Sequence, residues 1–386
     1  MAPVIALPRI MRIGPGASAE LPGVLRSLEL SRPLVMTDPF LAEQPFLRGL
    51  LESLTASGAA PGLFTEIVPD PTTTVVDRGV QVLREGDFDC LVGIGGGSPI
   101  DTAKAVALLA GHGGRMRDHK APAVNDEPTL PVVAVPTTAG SGSECTRFSI
   151  ITDVETDEKM LCAGLALLPQ AALIDSDLTL GMPARLTADT GVDALVHAIE
   201  AFVSTKAHPF TDSMAREAMR ALFAHLRTVH REPGDRVARE AMMLGATQAG
   251  IAFSNSSVAL VHGMSRPVGA HFQVAHGLSN AMLMPTVTAF SRSSAPGRYA
   301  ECARVMGLAG PGVPDEAASQ TLVEELQRLN EDLEVPTPQA YGIDAAAWRE
   351  LTPLMAEQAL ASGSPANNPR VPSAEEIESL YASVYA

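Results

Sequence analysis

In "DALVHAIEAF", residues 193–202, Asp193 and His197 stand four apart within an otherwise apolar run. On an α-helix that spacing stacks the acid and the imidazole on one face, one turn apart. Alone, such a pair fits a hydrogen-bonded core histidine or a surface pair as readily as a ligand set. A second segment, "ALVHGMSRPVGAHFQVAHGLSNAMLMP", adds His262, His271 and His276 in equally apolar surroundings. Imidazoles buried without partners would leave polar nitrogens unsatisfied. Asp193 and His197 with two of the three later histidines form an O,N,N,N set suited to a divalent ion such as Fe2+ or Zn2+.

Two loops carry a different chemistry. In "GIGGGSPIDTAK", residues 93–104, three glycines leave a strand and lead through Ser98 into a helix. Backbone N–H groups there can reach a phosphate at the positive end of the helix without Cβ obstruction. The spacing departs from the G-x-G-x-x-G dinucleotide fingerprint and follows a later strand than the first, so a plain turn fits as well as a pyrophosphate seat. "PTTAGSGSE", residues 136–144, is a second small-residue loop at a strand end, where ligands bind in open parallel sheets. "LVMTD" ends at Asp38. That carboxylate either accepts from a ribose diol, favouring NAD over NADP, or caps the helix that follows.

These residues need two kinds of scaffold. Up to about residue 180, short apolar runs ("PLVMTD", "CLVGIGGG", "PVVAVPTT", "AALIDSD") alternate with helical stretches such as "SPIDTAKAVALLAG". Strand–helix alternation implies a parallel sheet covered by helices. From Pro183 the strand signals stop, and "LTADTGVDALVHAIEAFVS", "FTDSMAREAMRALFAHLRTV", "RVAREAMMLGATQAGIAF" and "AASQTLVEELQRLNEDL" show helical periodicity. The expected organisation is an α/β domain over residues 1–182 and an all-α domain over residues 183–386. "ASGSPANNPRVPS" near the C-terminus reads as a loop.

Composition excludes several classes of function. A chain of 386 residues that is 46% hydrophobic can bury two cores. Its formal charge of −16 has the wrong sign for gripping nucleic acid or anionic membranes, which leaves a small-molecule partner. Cys90, Cys145, Cys162 and Cys302 lie far apart without a C-x-x-C pair and read as reduced core thiols, as expected in the cytoplasm. "MAPVIALPRIMRIG" makes a poor signal peptide and reads instead as an early strand. The longest apolar tract, "LCAGLALLPQAALI", is too short to span a bilayer.

"GGGSPIDTAK", "PTTAGSGSE", "DTGVDALVHAIEAF" and "VHGMSRPVGAHFQVAHG", in this order and over nearly the whole chain, resemble the iron-containing (group III) alcohol dehydrogenases, and the likeness extends to "SGSPANNPRVPSAEEIESLY". The resemblance implies the dehydroquinate synthase-like fold of that family, with an NAD-binding α/β domain and a helical metal and substrate domain. It implies a metal and a nicotinamide that meet in the cleft between the two. It assigns the metal, Fe2+ or Zn2+, to Asp193, His197, His262 and His276. It assigns NAD to Asp38, Gly95, Gly96, Gly97, Ser98, Asp101, Thr137, Thr138, Ser141 and Lys159. His271 matches no ligand position. The implied reaction passes a hydride between a small alcohol, or its aldehyde or ketone, and NAD(H) while the metal polarises the substrate oxygen. A homodimer is the expected assembly.

Two other functions fit parts of the pattern. A lyase of the dehydroquinate synthase type also pairs NAD with a divalent metal, but its highly charged substrate calls for clustered cations. Between Arg236 and Phe290 the chain offers only Arg236, Arg239 and Arg266. A non-catalytic NAD or metal sensor would not need a complete ligand constellation. One departure from the family stands out. Many relatives carry a histidine four residues after the ligand in "HGMSRPVG", where this chain has Arg266. Arginine stays protonated and cannot relay a proton, so Arg266 either anchors an anionic group of the substrate, with Arg147 in "ECTRFSII" as a second cation, or serves as scaffolding.

Overall fold

The computed structural model describes residues 3–386. Two compact units divide the chain, one ending at Gly181 and the other running Met182–Ala386. The first holds the strands β1 (Ile10–Ile13), β2 (Pro33–Met36), β3 (Gly62–Phe64), β4 (Cys90–Gly95), β5 (Val132–Pro136), β6 (Phe148–Asp153), β7 (Glu158–Ala163) and β8 (Ala171–Ile174). Its helices are α1 (Leu21–Ser27), α2 (Pro39–Ala42), α3 (Pro45–Ala56), α4 (Thr73–Glu85) and α5 (Gly97–His112).

Six strands form one parallel sheet in the order β1-β8-β5-β4-β2-β3. Strands β2, β4, β5 and β8 are buried throughout, as strands covered on both faces must be. The chain leaves β2 for β3 on one side and leaves β4 for β5 on the other. The carboxyl ends of β2 and β4 therefore flank a switch point, the place where open α/β sheets bind ligands. Asp38 follows β2 and the glycine run follows β4.

The sequence reading did not separate out the antiparallel hairpin β6–β7. Its alternation is present, but β6 buries Ser149 and Asp153 beside Ile151, so polar side chains sit where an apolar period would be sought. Asp153 pairs with Arg117, whereas Ser149 and its neighbours hold α5 in place. Asp101 accepts from Ser143 Oγ and from the backbone N–H of Ile150, both at 2.9 Å, and Ser149 Oγ donates to the Asp101 carbonyl. Three residues on, the fully buried Lys104 donates to the carbonyls of Thr146 and Phe148, both at 2.9 Å. Burial pushes its pKa down to about 8, against the pull of Asp101 and Glu144.

The second unit is helical: α6 (Ala184–Val203), α7 (Pro209–Arg231), α8 (Arg236–Asn255), α9 (Leu260–Phe272), α10 (His276–Ser291), α11 (Pro296–Val305), α12 (Asp315–Asp332), α13 (Pro338–Tyr341), α14 (Ala345–Ala361) and α15 (Ala374–Val384). Helix α6 is buried along most of its length because it packs against α7, α8 and α10 at once. The loop before α15 makes a short 3-10 turn, Ser364–Asn367, that packs on α9. A Cβ on Gly263 would come within 2.7 Å of the Pro365 ring, so that turn approaches α9 where only glycine fits.

Lys104→Met should strand the Asp101 carboxylate and two carbonyls in the core of the first unit. Breaking one side of a buried charged cluster costs about 3–5 kcal/mol. Denaturant titration followed by circular dichroism would register this as a lower midpoint for the first unit, and an unchanged midpoint would show that the Lys104 bonds contribute nothing net.

Candidate metal centre and nucleotide seat

Three helices deliver the candidate ligands. Asp193 and His197 lie one turn apart on α6, His262 lies in the first turn of α9, and His276 is the first residue of α10. One ligand atom from each of Asp193, His262 and His276 falls within 4.8 Å of the others. His262 Nε2 is 3.4 Å and His276 Nε2 is 3.7 Å from Asp193 Oδ1. Ligands bound at about 2.1 Å around a tetrahedral ion stand about 3.4 Å apart, so this spacing matches a coordination shell. His197 stands beside the three. Its ring stacks between Phe253 and His262, with centroid distances of 4.2 and 4.4 Å, and its Nδ1 is 4.0 Å from Asp193 Oδ2.

Asp193, His197 and His262 are buried, whereas the His276 side chain is 34% exposed, which makes its side the open one. Burial alone would raise the Asp193 carboxyl. The nearby rings of His197 and His276, with the bond and charge of His262, hold it well below the usual carboxylate range. Burial disfavours a charged His262 ring, yet its bonds to Asp193 and Glu200 raise its pKa. The cluster draws positive charge to itself, and that is the electrostatic demand a cation meets.

Glu200, one turn beyond His197 on α6, was not singled out from the sequence. Its carboxylate accepts from the backbone N–H groups of Ala259 (2.9 Å) and Val261 (2.6 Å) and from His262 Nδ1 (2.7 Å). With Nδ1 committed to Glu200, Nε2 is the nitrogen that faces Asp193 and the one placed to ligate a metal. A fully buried glutamate in "HAIEAF" was the available signal, since charged residues are almost never buried without partners.

Asn280, one turn after His276, also escaped the sequence reading. Its amide nitrogen donates to Asp193 Oδ1 at 2.6 Å and lies 3.2 and 3.3 Å from the Nε2 atoms of His262 and His276, while its buried Oδ1 has no hydrogen-bond partner. Amide hydrogens thus face the same three acceptors that a metal ion would join. Gly277 brings α10 close enough, because a Cβ there would stand 2.3 Å from the Asp189 carbonyl of α6. His271 takes no part; its Nε2 pairs with Gln358 Oε1 on α14 at 2.8 Å.

In the first unit, Gly95 ends β4 at φ +149° and α5 begins at Gly97 without a side-chain cap. Its first-turn N–H groups therefore stay available to a ligand. Space is tight. A Cβ on Gly95 would come within 2.5 Å of the Pro99 ring, on Gly96 within 3.4 Å of the Thr138 side chain, and on Gly97 within 3.3 Å of Ser141. Ser98, Thr138 and Ser141 are half-buried around this turn, and the backbone N–H of the buried Thr137 donates to the Gly95 carbonyl. The turn has the form of an anion cradle that side chains would fill.

The other nucleotide candidates are tied into the fold. Asp38 caps α2 through Oδ1, which accepts from the Leu41 N–H at 2.9 Å. Both Asp101 oxygens are engaged inside the fold, and Lys159 on β7 pairs with Asp70 at 2.9 Å. Arg147 precedes β6, and its carbonyl accepts from the Gly164 N–H. Arg266 lies one turn after His262 on α9 and donates to Ser364 Oγ at 3.0 Å.

Comparison with known proteins matches residues 8–176 to the model of iron-containing alcohol dehydrogenases and residues 187–385 to that of the C-terminal part of the Fe-containing alcohol dehydrogenase family. The NAD-dependent methanol dehydrogenase of Bacillus methanolicus is 35% identical over 97% of both chains. The lactaldehyde reductase of Escherichia coli K12 is 35% identical over 95% of this chain and 96% of its own. A solved 1,3-propanediol oxidoreductase superposes with a TM-score of 0.95 at 31% identity, covering all of both chains. None of these is a lyase, so the dehydroquinate synthase alternative is not favoured. The chain belongs to the iron-containing alcohol dehydrogenase family.

Proposed function

We infer that this chain interconverts a small alcohol with its aldehyde or ketone using NAD(H), and that Asp193, His197, His262 and His276 hold the divalent metal. The observation that carries the reading is the convergence of Asp193 Oδ1, His262 Nε2 and His276 Nε2 at coordination spacing. Once bound, the metal supplies Lewis acidity to a substrate oxygen, and the nicotinamide accepts or returns the hydride. The balance is alcohol plus NAD+ to carbonyl compound, NADH and one proton.

The chain's own part is positioning. One carboxylate and neutral imidazoles leave a divalent site net positive, and Glu200 keeps the His262 lone pair aimed at it. The half-exposed face of His276 is the side from which a substrate oxygen reaches the cluster. In the first unit, Gly95, Gly96, Gly97 and Ser98 with Thr137, Thr138 and Ser141 are the proposed pyrophosphate seat. Asp101 and Lys159 belong to the same proposed nucleotide site, and the second Asp38 oxygen faces the adenosine ribose. The division of labour, nucleotide in residues 1–182 and metal with substrate in residues 183–386, is part of the same proposal. So are a cytoplasmic location, supported by four buried free cysteines, and a homodimer. The edge strand β1 supports the dimer, since Ile13 and the preceding Val4, Ile5 and Leu7 leave apolar surface exposed. Among the described residues, no helix is long and apolar enough to cross a membrane.

The decisive experiment reconstitutes the chelated protein with Fe2+ or Zn2+ and follows NADH absorbance with a series of alcohols and aldehydes; no turnover with any of them would reject the reading. Asp193→Ala should abolish metal binding and turnover together. Glu200→Gln should weaken metal affinity about 10- to 100-fold, the usual loss when the partner that orients a ligating histidine is removed. Chelator competition measures that affinity without turnover, and wild-type affinity in Glu200→Gln would leave Glu200 as a helix cap only.

Cofactor choice is a separate test. Asp38 should repel a 2′-phosphate, so NAD is expected to be preferred and Asp38→Gly to raise kcat/KM with NADP. Equal use of both cofactors by the unaltered protein would show that Asp38 acts only as the cap of α2.

A further inference from the structure

Arg185, Arg227, Arg298 and Arg370 of the second unit each lie 2.5–2.6 Å from a carboxylate. Arg266 does not. Its Nη1 donates to the hydroxyl of Ser364, its Nε is fully enclosed without a hydrogen-bond partner, and among the described residues no carboxylate lies within ion-pair distance. The nearest acidic influence is Glu200, which is already engaged by His262 and the first turn of α9. Arg239 also lacks a carboxylate, but it is 2% exposed and bonds the Pro233 carbonyl and Thr187. Arg266 is only half-buried, so part of the side chain remains accessible.

A guanidinium partly withdrawn from water and left without an anion is unfavourable, and its planar fork matches carboxylate-type oxygens. Its position gives that mismatch a use. His262 and Arg266 are four apart on α9, so they share a helix face with Cβ atoms about 5–6 Å apart. The buried Ser364 hydroxyl of the Ser364–Asn367 turn accepts from Arg266 Nη1 and fixes that end of the side chain.

We propose that Arg266, steadied by Ser364, is an anion-binding subsite beside the metal centre, and that the substrate is a short alcohol or aldehyde carrying a carboxylate or similar oxyanion within a few bonds of the reacting carbon. The proposal deepens the dehydrogenase reading and rests on it for the reacting end of the molecule. Carboxylates, sulfonates and phosphate esters share the required geometry.

The test compares 4-oxobutanoate with butanal, two four-carbon aldehydes that differ in charge, as substrates for NADH oxidation by wild type and Arg266→Met. The wild type should favour 4-oxobutanoate. Arg266→Met should lose roughly 10- to 100-fold more kcat/KM on it than on butanal, mostly through KM, as for loss of a charge-assisted hydrogen bond. Thermal melting with 4-hydroxybutanoate gives a second readout without turnover: the anion should raise the Tm of wild type and not that of Arg266→Met. Parallel melts with short sulfonates and phosphate esters then rank the oxyanions. Equal losses on both aldehydes, or a wild type that prefers butanal and gains no Tm from the anion, would overturn the subsite while leaving the dehydrogenase intact. If neither aldehyde turns over, the alcohol and aldehyde series decides the dehydrogenase reading, and the melting result decides the subsite alone. Should Arg266→Met not fold, the wild-type preference and its melting shift decide.

Discussion

One buried carboxylate organises the helical unit. Stripping water from Glu200 is costly, and three donors at 2.6–2.9 Å offset that cost. Two of them are backbone N–H groups in or beside the first turn of α9, which have no partner within the helix. The third is the His262 ring. One side chain on α6 thus caps α9, fixes its position against α6 and sets which nitrogen of His262 faces Asp193. The approach of α10 to Asp189 at Gly277 completes the assembly, so three helices bring Asp193, His262 and His276 to one point.

The α/β unit solves its problem by leaving room. In the Gly95–Gly97 turn a Cβ on Gly95 would clash with the Pro99 ring and one on Gly97 would crowd Ser141, and the helix start carries no cap. Asp101 and Lys104, further along α5, bind the helix to β6 and the segment before it, so the open N-terminus rests on a buried polar network. Small residues create the opening and charged ones hold it still.

An acidic chain that belongs to an alcohol dehydrogenase family still has to accept an electron-rich oxygen and a pyrophosphate. It does so locally. Its −16 formal charge is spread over a surface where arginines pair with acids, whereas the places suited to ligands present backbone N–H groups and a ligand cluster built for positive charge.

Much of this was legible in the sequence, for a local reason. Helical period places Asp193 over His197 wherever "DALVHAIEAF" folds as a helix, and glycines followed by Ser-Pro mark a strand-to-helix turn whatever surrounds them. Parallel strands were visible as short apolar runs because both faces of the sheet are covered. What spacing could not supply was where α9 ends. The structure ends it at Gln273, whose left-handed backbone (φ +54°) redirects the chain so that His276 returns to Asp193, whereas His271, nine residues or about 180° round α9 from His262, faces Gln358. Nor could it supply the partners of Glu200, which lie about sixty residues along the chain, or the buried Ser149 and Asp153 of β6, whose polarity hides a strand. Periodicity and turn chemistry act between neighbours and can be read from a string of residues; the pairing of buried polar groups is decided by which distant segments the core brings together.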